Sequence, residues 1–118
     1  MQHVERIKDA LGVSGVDAET YFWRHAPDDD CPKGAQIDLI IDRADRVVDV
    51  CEMKFTGKPY AIDKDDDENL KTKLEVFHSA TGTRKSVQLV FVTAAGLART
   101  KYSGLVNREV TLDVLFSD

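Results

Sequence analysis

Apolar residues near the start of the chain fall at Val4, Ile7 and Leu11, the i, i+3, i+7 spacing of one helix face, and Gly12 follows where a glycine would end such a helix. The spacing predicts a short first helix. Residues 20–25 (Thr-Tyr-Phe-Trp-Arg-His) are rich in strand formers, with Phe22 and Trp23 expected in the core. The polar stretch 27–34, with Asp28, Asp29 and Asp30 in a row and a Cys31-Pro32 step, reads as a loop. Over 35–42 strict alternation places Ile37, Leu39 and Ile41 on one face and Asp38, Ile40 and Asp42 on the other. A second β-branched run, 47–55, follows the short polar turn Arg43-Ala44-Asp45-Arg46, so the two runs predict a β-hairpin.

Beyond Gly57 and Pro59, the polar segment 63–68 leads into Leu70, Leu74 and Phe77, spaced as on an amphipathic helix, with its early aspartates at the positive end of the dipole. Thr81-Gly82-Thr83 ends it. Residues 86–93 (Ser-Val-Gln-Leu-Val-Phe-Val-Thr) have the apolar density of a buried central strand. Ala94 to Leu97 reads as a helical turn, and 109–116 alternates Val110, Leu112 and Val114 against Thr111 and Asp113, a last strand. The expected order is αβββαβ, then β. It describes an α/β domain with a mixed central sheet flanked by helices. No internal repeat or low-complexity linker interrupts it.

The length of 118 residues suits a single domain over 1–118 that needs neither a disulfide nor a metal to hold it. The first helix has almost no turn upstream of it, which suggests the tail of something longer. A composition 42 % hydrophobic and 31 % charged is that of an ordinary globular protein. No run approaches the roughly 18 apolar residues of a membrane span, and the first residues lack a secretion leader's pattern, so the expected address is the cytoplasm, with no membrane partner. Cys31 and Cys51 form no CxxC pair and are expected as free thiols. His3, His25 and His78 are scattered without metal-ligand spacing. The formal net charge of −5 argues against gripping nucleic acid by bulk electrostatics, although a bound divalent metal inverts the field locally. There is no glycine-rich loop of the Walker type, so the chain itself is not expected to bind ATP that way.

If the hairpin turn spans 43–47, Asp42 faces Val48, Ile40 faces Val50 and Asp38 faces Glu52, with β-carbons about 5 Å apart. Lys54, two residues on, projects to the same face. Opposed carboxylates on a mostly apolar hairpin are costly unless a cation sits between them, and Mg²⁺, which takes one or two carboxylates plus waters and phosphate oxygens, fits that need. Such an ion would polarise a phosphodiester and acidify a water, while Lys54 oriented that water or met the charge building on the phosphate. The plain alternative is a salt-bridged surface cluster, because a Glu-x-Lys tripeptide is common. Val48 and Val50 continue the same face, which a solvated strand seldom shows, and the residues alone leave the two readings evenly open. Lys71 and Lys73 on the second helix, with Arg84 and Lys85 beyond it, are weaker candidates for phosphate contacts.

Asp38, a gap of thirteen residues, then Glu52-Met53-Lys54 on successive strands after an N-terminal helix resembles the PD-(D/E)xK signature of the restriction-endonuclease-like superfamily. The residues Lys33-Gly34-Ala35-Gln36-Ile37-Asp38-Leu39-Ile40-Ile41-Asp42-Arg43, Cys51 to Phe55, Lys101-Tyr102-Ser103-Gly104 and Val110-Thr111-Leu112-Asp113 resemble the nuclease-like domain at the C-terminus of a bacterial family of AAA-type ATPases. The resemblance covers nearly the whole chain. It implies a restriction-endonuclease-like αβββαβ core, Mg²⁺ (or Mn²⁺) held by Asp38 and Glu52, Lys54 as the catalytic lysine, and DNA as substrate. An AAA-type ATPase is the implied partner, and pairing into a homodimer is left open. Gln36 is a secondary candidate. Ile37 stands where the eponymous proline would be, and only Glu5 could supply the helix-borne glutamate that often completes such sites. A module that keeps fold and motif but serves only DNA or protein interaction is the alternative.

Overall fold

The hairpin lies at the centre of the molecule. In the computed structural model, which describes residues 2–13, 15–29 and 34–112, the elements in chain order are α1 (Gln2–Leu11), β1 (Ala18–His25), β2 (Ala35–Arg43), β3 (Val47–Lys54), β4 (Tyr60–Ala61), α2 (Lys64–Thr81), β5 (Ser86–Thr93), β6 (Leu97–Ala98), a 3-10 turn (Ser103–Leu105) and β7 (Arg108–Thr111). The main sheet is five-stranded and mixed, in the order β1-β2-β3-β5-β7: β2 runs antiparallel to both β1 and β3, and β5 and β7 continue parallel to β3. Strands β4 and β6 form a separate parallel pair. The chain is thus a mixed α/β fold with helices on both sheet faces.

Each face has its own core. Ile7 and Leu11 of α1 pack with Leu39, Ile41, Cys51, Val90, Val92 and Val110 on one side. Leu70 and Phe77 of α2 pack with Ile37, Ile40, Val48, Val50, Leu89 and Phe91 on the other. Full burial of such a side chain contributes about 1.5–3 kcal/mol, so these two layers rather than strand propensity hold the sheet.

The boundaries of the second helix follow from its caps. Asp63 accepts the Asp66 amide at 2.8 Å while its own amide donates to the Asp66 carboxylate at 3.2 Å, a reciprocal capping box. At the other end Gly82 takes φ 60° and donates to the His78 carbonyl. That left-handed conformation costs glycine little.

The structure departs from the expected pattern in several places. Ile37 belongs with Ile40 rather than with Leu39 and Ile41. Tyr21 pairs with Ile40 but Trp23 pairs with Ile37, so two steps along β1 match three along β2, and β2 carries one extra residue there. Ala94 to Leu97 forms no helical turn; Gly96, at φ 87°, accepts the Tyr60 amide and sets Leu97 beside Tyr60 in the small sheet. Phe22 is not core but 67 % exposed, because β1 is an edge strand, whereas Trp23 packs edge-on against Phe77 at 5.3 Å. The last strand is Arg108–Thr111; 113–116 of the expected strand, like Cys31, lie outside the described residues. Cys51 is free and buried, and burial pushes its thiol pKa well up.

A buried charge lies away from the hairpin's open end. Asp49 is fully buried and receives Arg43 Nη1 at 3.2 Å on one carboxylate oxygen. Its other oxygen, Oδ1, has no hydrogen-bond partner among the described residues, nor does Oε1 of Gln88, its register neighbour on β5. Burial raises the Asp49 pKa, and the Arg43 guanidinium opposes that rise.

Candidate functional site

The register of the hairpin determines which side chains meet. Asp42 pairs with Val48, Ile40 with Val50 and Leu39 with Cys51, the alignment that the short polar turn implies. Beyond Leu39 the extra residue of β2 ends the ladder, and Asp38 replaces it with a side-chain bond: its Oδ2 accepts the Met53 amide at 2.9 Å. The Asp38 carboxylate is thereby fixed across the strand pair, next to Glu52.

Glu52 is only 3 % exposed and belongs to the α2 side of β3, continuing the face of Val48 and Val50. Its pKa is raised, first by burial and also by the Asp38 carboxyl beside it, while Lys73 pulls it back. Lys73 does so at close range, Nζ lying 2.8 Å from Glu52 Oε1. A buried carboxylate with no partner would be costly, and the helix supplies one.

Lys54 behaves differently from its expected role. Its ammonium lies 5.4 Å from the centroid of the Tyr60 ring, a cation–π contact, rather than on either carboxylate. Tyr60 in turn donates its hydroxyl to Asp66 Oδ2 at 2.9 Å, and burial, this bond and nearby acids push its pKa up to about 12. Tyr60 thus ties the end of β3 to the first turn of α2.

The structure therefore brings Asp38 and Glu52 together, places Lys54 on the rim and adds Lys73 to the pair. Gln36 is exposed beside its register partner Arg24, on a recess that Lys73 also lines. Glu5 is exposed on α1, which packs on the opposite sheet face from Glu52. Lys71 pairs with Asp67 one turn earlier, and Lys85 is held at the far end of the sheet by Asp42 Oδ1 at 2.6 Å and the Arg43 carbonyl at 2.8 Å. Lys73's partnership with Glu52 was missed, yet a signal existed: position 73 is i+3 from Leu70 and i−4 from Phe77, so it falls on the helix face turned to the sheet.

As a metal site the donor set is sparse. Among the described residues no group of three or more His, Cys, Asp or Glu side chains could enclose an ion. Two carboxylates suffice for Mg²⁺ only when waters or phosphate oxygens complete its shell, so the residues fit an ion held jointly with a substrate. Comparisons with family models, with curated proteins and with solved structures found no match for the chain.

Proposed function

We propose that the chain is a metal-dependent nuclease-like domain of the restriction-endonuclease-like type that hydrolyses phosphodiester bonds of DNA and works beside an AAA-type ATPase. The observation that carries this reading is the meeting of Asp38 and Glu52 at the open end of a buried hairpin, with Lys54 two residues on. The order α1, β1, β2, β3, α2, β5 supports it, being the order that the resemblance implies. Asp38 and Glu52 are the residues that would hold Mg²⁺ or Mn²⁺, and the ion would supply electrophilic polarisation of the phosphate and a more acidic water. The chain's own part is to orient and to neutralise. The Met53 amide fixes Asp38; Lys73 balances Glu52; and Lys54, which among the described residues lies against a ring face and no carboxylate, would meet the charge that develops on a phosphate oxygen.

Titration with Mn²⁺ in the presence and absence of a DNA oligonucleotide, on wild type, Asp38→Ala and Glu52→Ala, tests this directly. Binding should need the DNA for full affinity and be lost in both variants, and plasmid cleavage should be lost in these and in Lys54→Ala. No metal binding under any of these conditions would sink the reading.

A second reading has an observation of its own. Lys73 already provides the positive charge beside Glu52, and Lys54 is turned to Tyr60, which suits a module that keeps the fold without the reaction and serves DNA or protein interaction. Metal binding without cleavage of any DNA substrate selects it.

A further inference from the structure

β1 is an edge strand with few of the devices that normally keep an edge from pairing, its fixed charges being Glu19 and Arg24. It is eight residues long, Ala-Glu-Thr-Tyr-Phe-Trp-Arg-His, with no proline or lysine, and the irregularity in its pairing belongs to β2. One side pairs with β2, and among the described residues no strand pairs with the other. Among the described residues, two of the three exposed large apolar side chains are on it, Phe22 at 67 % and Tyr21 at 38 %. The strand at the other end of the sheet, β7, has four residues.

We infer that β1 pairs antiparallel with β1 of a second copy of this chain, about a two-fold axis through Phe22, joining two five-stranded sheets into one of ten. An axis normal to the sheet keeps each face on its own side, so only registers centred on a residue are allowed. Centred on Phe22, the strand sets Phe22 against its own copy, Tyr21 against Trp23, Thr20 against Arg24 and Glu19 against His25. Aromatics meet aromatics, the acid meets the imidazole, and no like charges face each other. Centring on Tyr21 instead places the Glu19 carboxylate against the Trp23 indole and Phe22 against Thr20. Centring on Trp23 places Glu19 against Pro27. The Phe22 register alone gives every charged side chain a polar partner and both exposed aromatics an aromatic one.

The test is the solution mass of the chain by light scattering or sedimentation, from about 1 µM to a few hundred µM, the range in which a contact smaller than a standard interface would dissociate. The expected result is a doubling of the 13.2 kDa mass with rising concentration. Phe22→Lys places two ammonium groups on the axis and should weaken the dimer by about tenfold or more, whereas Phe55→Lys, which changes an exposed aromatic outside β1, should leave it within about twofold. Because Phe22 is so exposed, its variants should keep the far-UV dichroism of the parent. Oxidation adds a check on register: Phe22→Cys should cross-link to its copy, while Thr20→Cys, whose two copies would lie four positions or about 13 Å apart, should not exceed the parent's background. A monomer throughout the range, a dimer indifferent to Phe22→Lys, or equal cross-linking at both positions overturns the proposal. Asp38→Asn and Glu52→Gln should leave the mass unchanged, so failure of the nuclease reading and failure of the dimer are separate results.

Discussion

Lys73 reaches Glu52 from a helix twenty-one positions along the chain, and that contact changes what each residue is for. Replacing Lys73 by methionine removes the charge but keeps a side chain of similar length. Glu52 is then left buried without its partner, and the expected loss is about 1–3 kcal/mol in urea unfolding. Adding Glu52→Gln should restore most of that loss, because a neutral amide is less costly to bury than an unpaired carboxylate; two additive losses would show that the pair is not coupled. The nearness of Asp38 and Glu52 was legible from the short turn and the register it sets, but their direct opposition was not met: the ladder stops at Leu39, and Asp38 reaches across by accepting the Met53 amide. Lys73 was harder to read, because its reach depends on how α2 is rotated and where it crosses β3. The direction of Lys54 depends likewise on Tyr60, a residue from a two-residue strand that no periodicity announces.

Elements were readable where a short-range device specifies their ends. The second helix begins at Asp63 and ends at Gly82 because a capping box and a left-handed glycine stand there, both visible as residue types. Asp63→Ala removes the acceptor for the Asp66 amide and should cost about 1 kcal/mol, read as a lower melting temperature, with Asp63→Ser losing much less. An equal loss in both variants would mean that the cap bond contributes nothing. The segment around Gly96 was misread because its apolar residues suit a helical turn, while its actual partner, Tyr60, is distant in sequence. The exposure of Phe22 escaped for a related reason. Nothing local in a Tyr-Phe-Trp run says that its strand lies at a sheet edge with α1 packed elsewhere.

For the molecule as a whole, strand order and buried charge decide how it responds to its surroundings. Asp49 has its folded-state pKa raised by burial, so its proton is favoured by the fold. The stability this group contributes is fully present below the unfolded carboxylate pKa and is lost as pH rises through the folded one. Asp49→Asn cannot lose it. The stability of that variant relative to wild type should therefore increase between about pH 4 and pH 7.5, as read from urea midpoints at the two pH values; a constant difference would mean that the Arg43 pair offsets burial completely. The extra residue in β2 has a further consequence, one of chain length. On its turn side the strand keeps phase with the α1 core through Leu39 and Ile41, and on its other side Ile37 is in phase with α2. Deleting the residue at position 38 would remove the carboxylate and restore regular alternation, leaving Ile37 two positions from Ile40 and still on the α2 core. The surplus position thus serves the carboxylate rather than the packing, and a chain shortened there should fold about as readily as an Asp38→Ala chain, whereas inserting a further residue would throw Ile37 out of phase with α2.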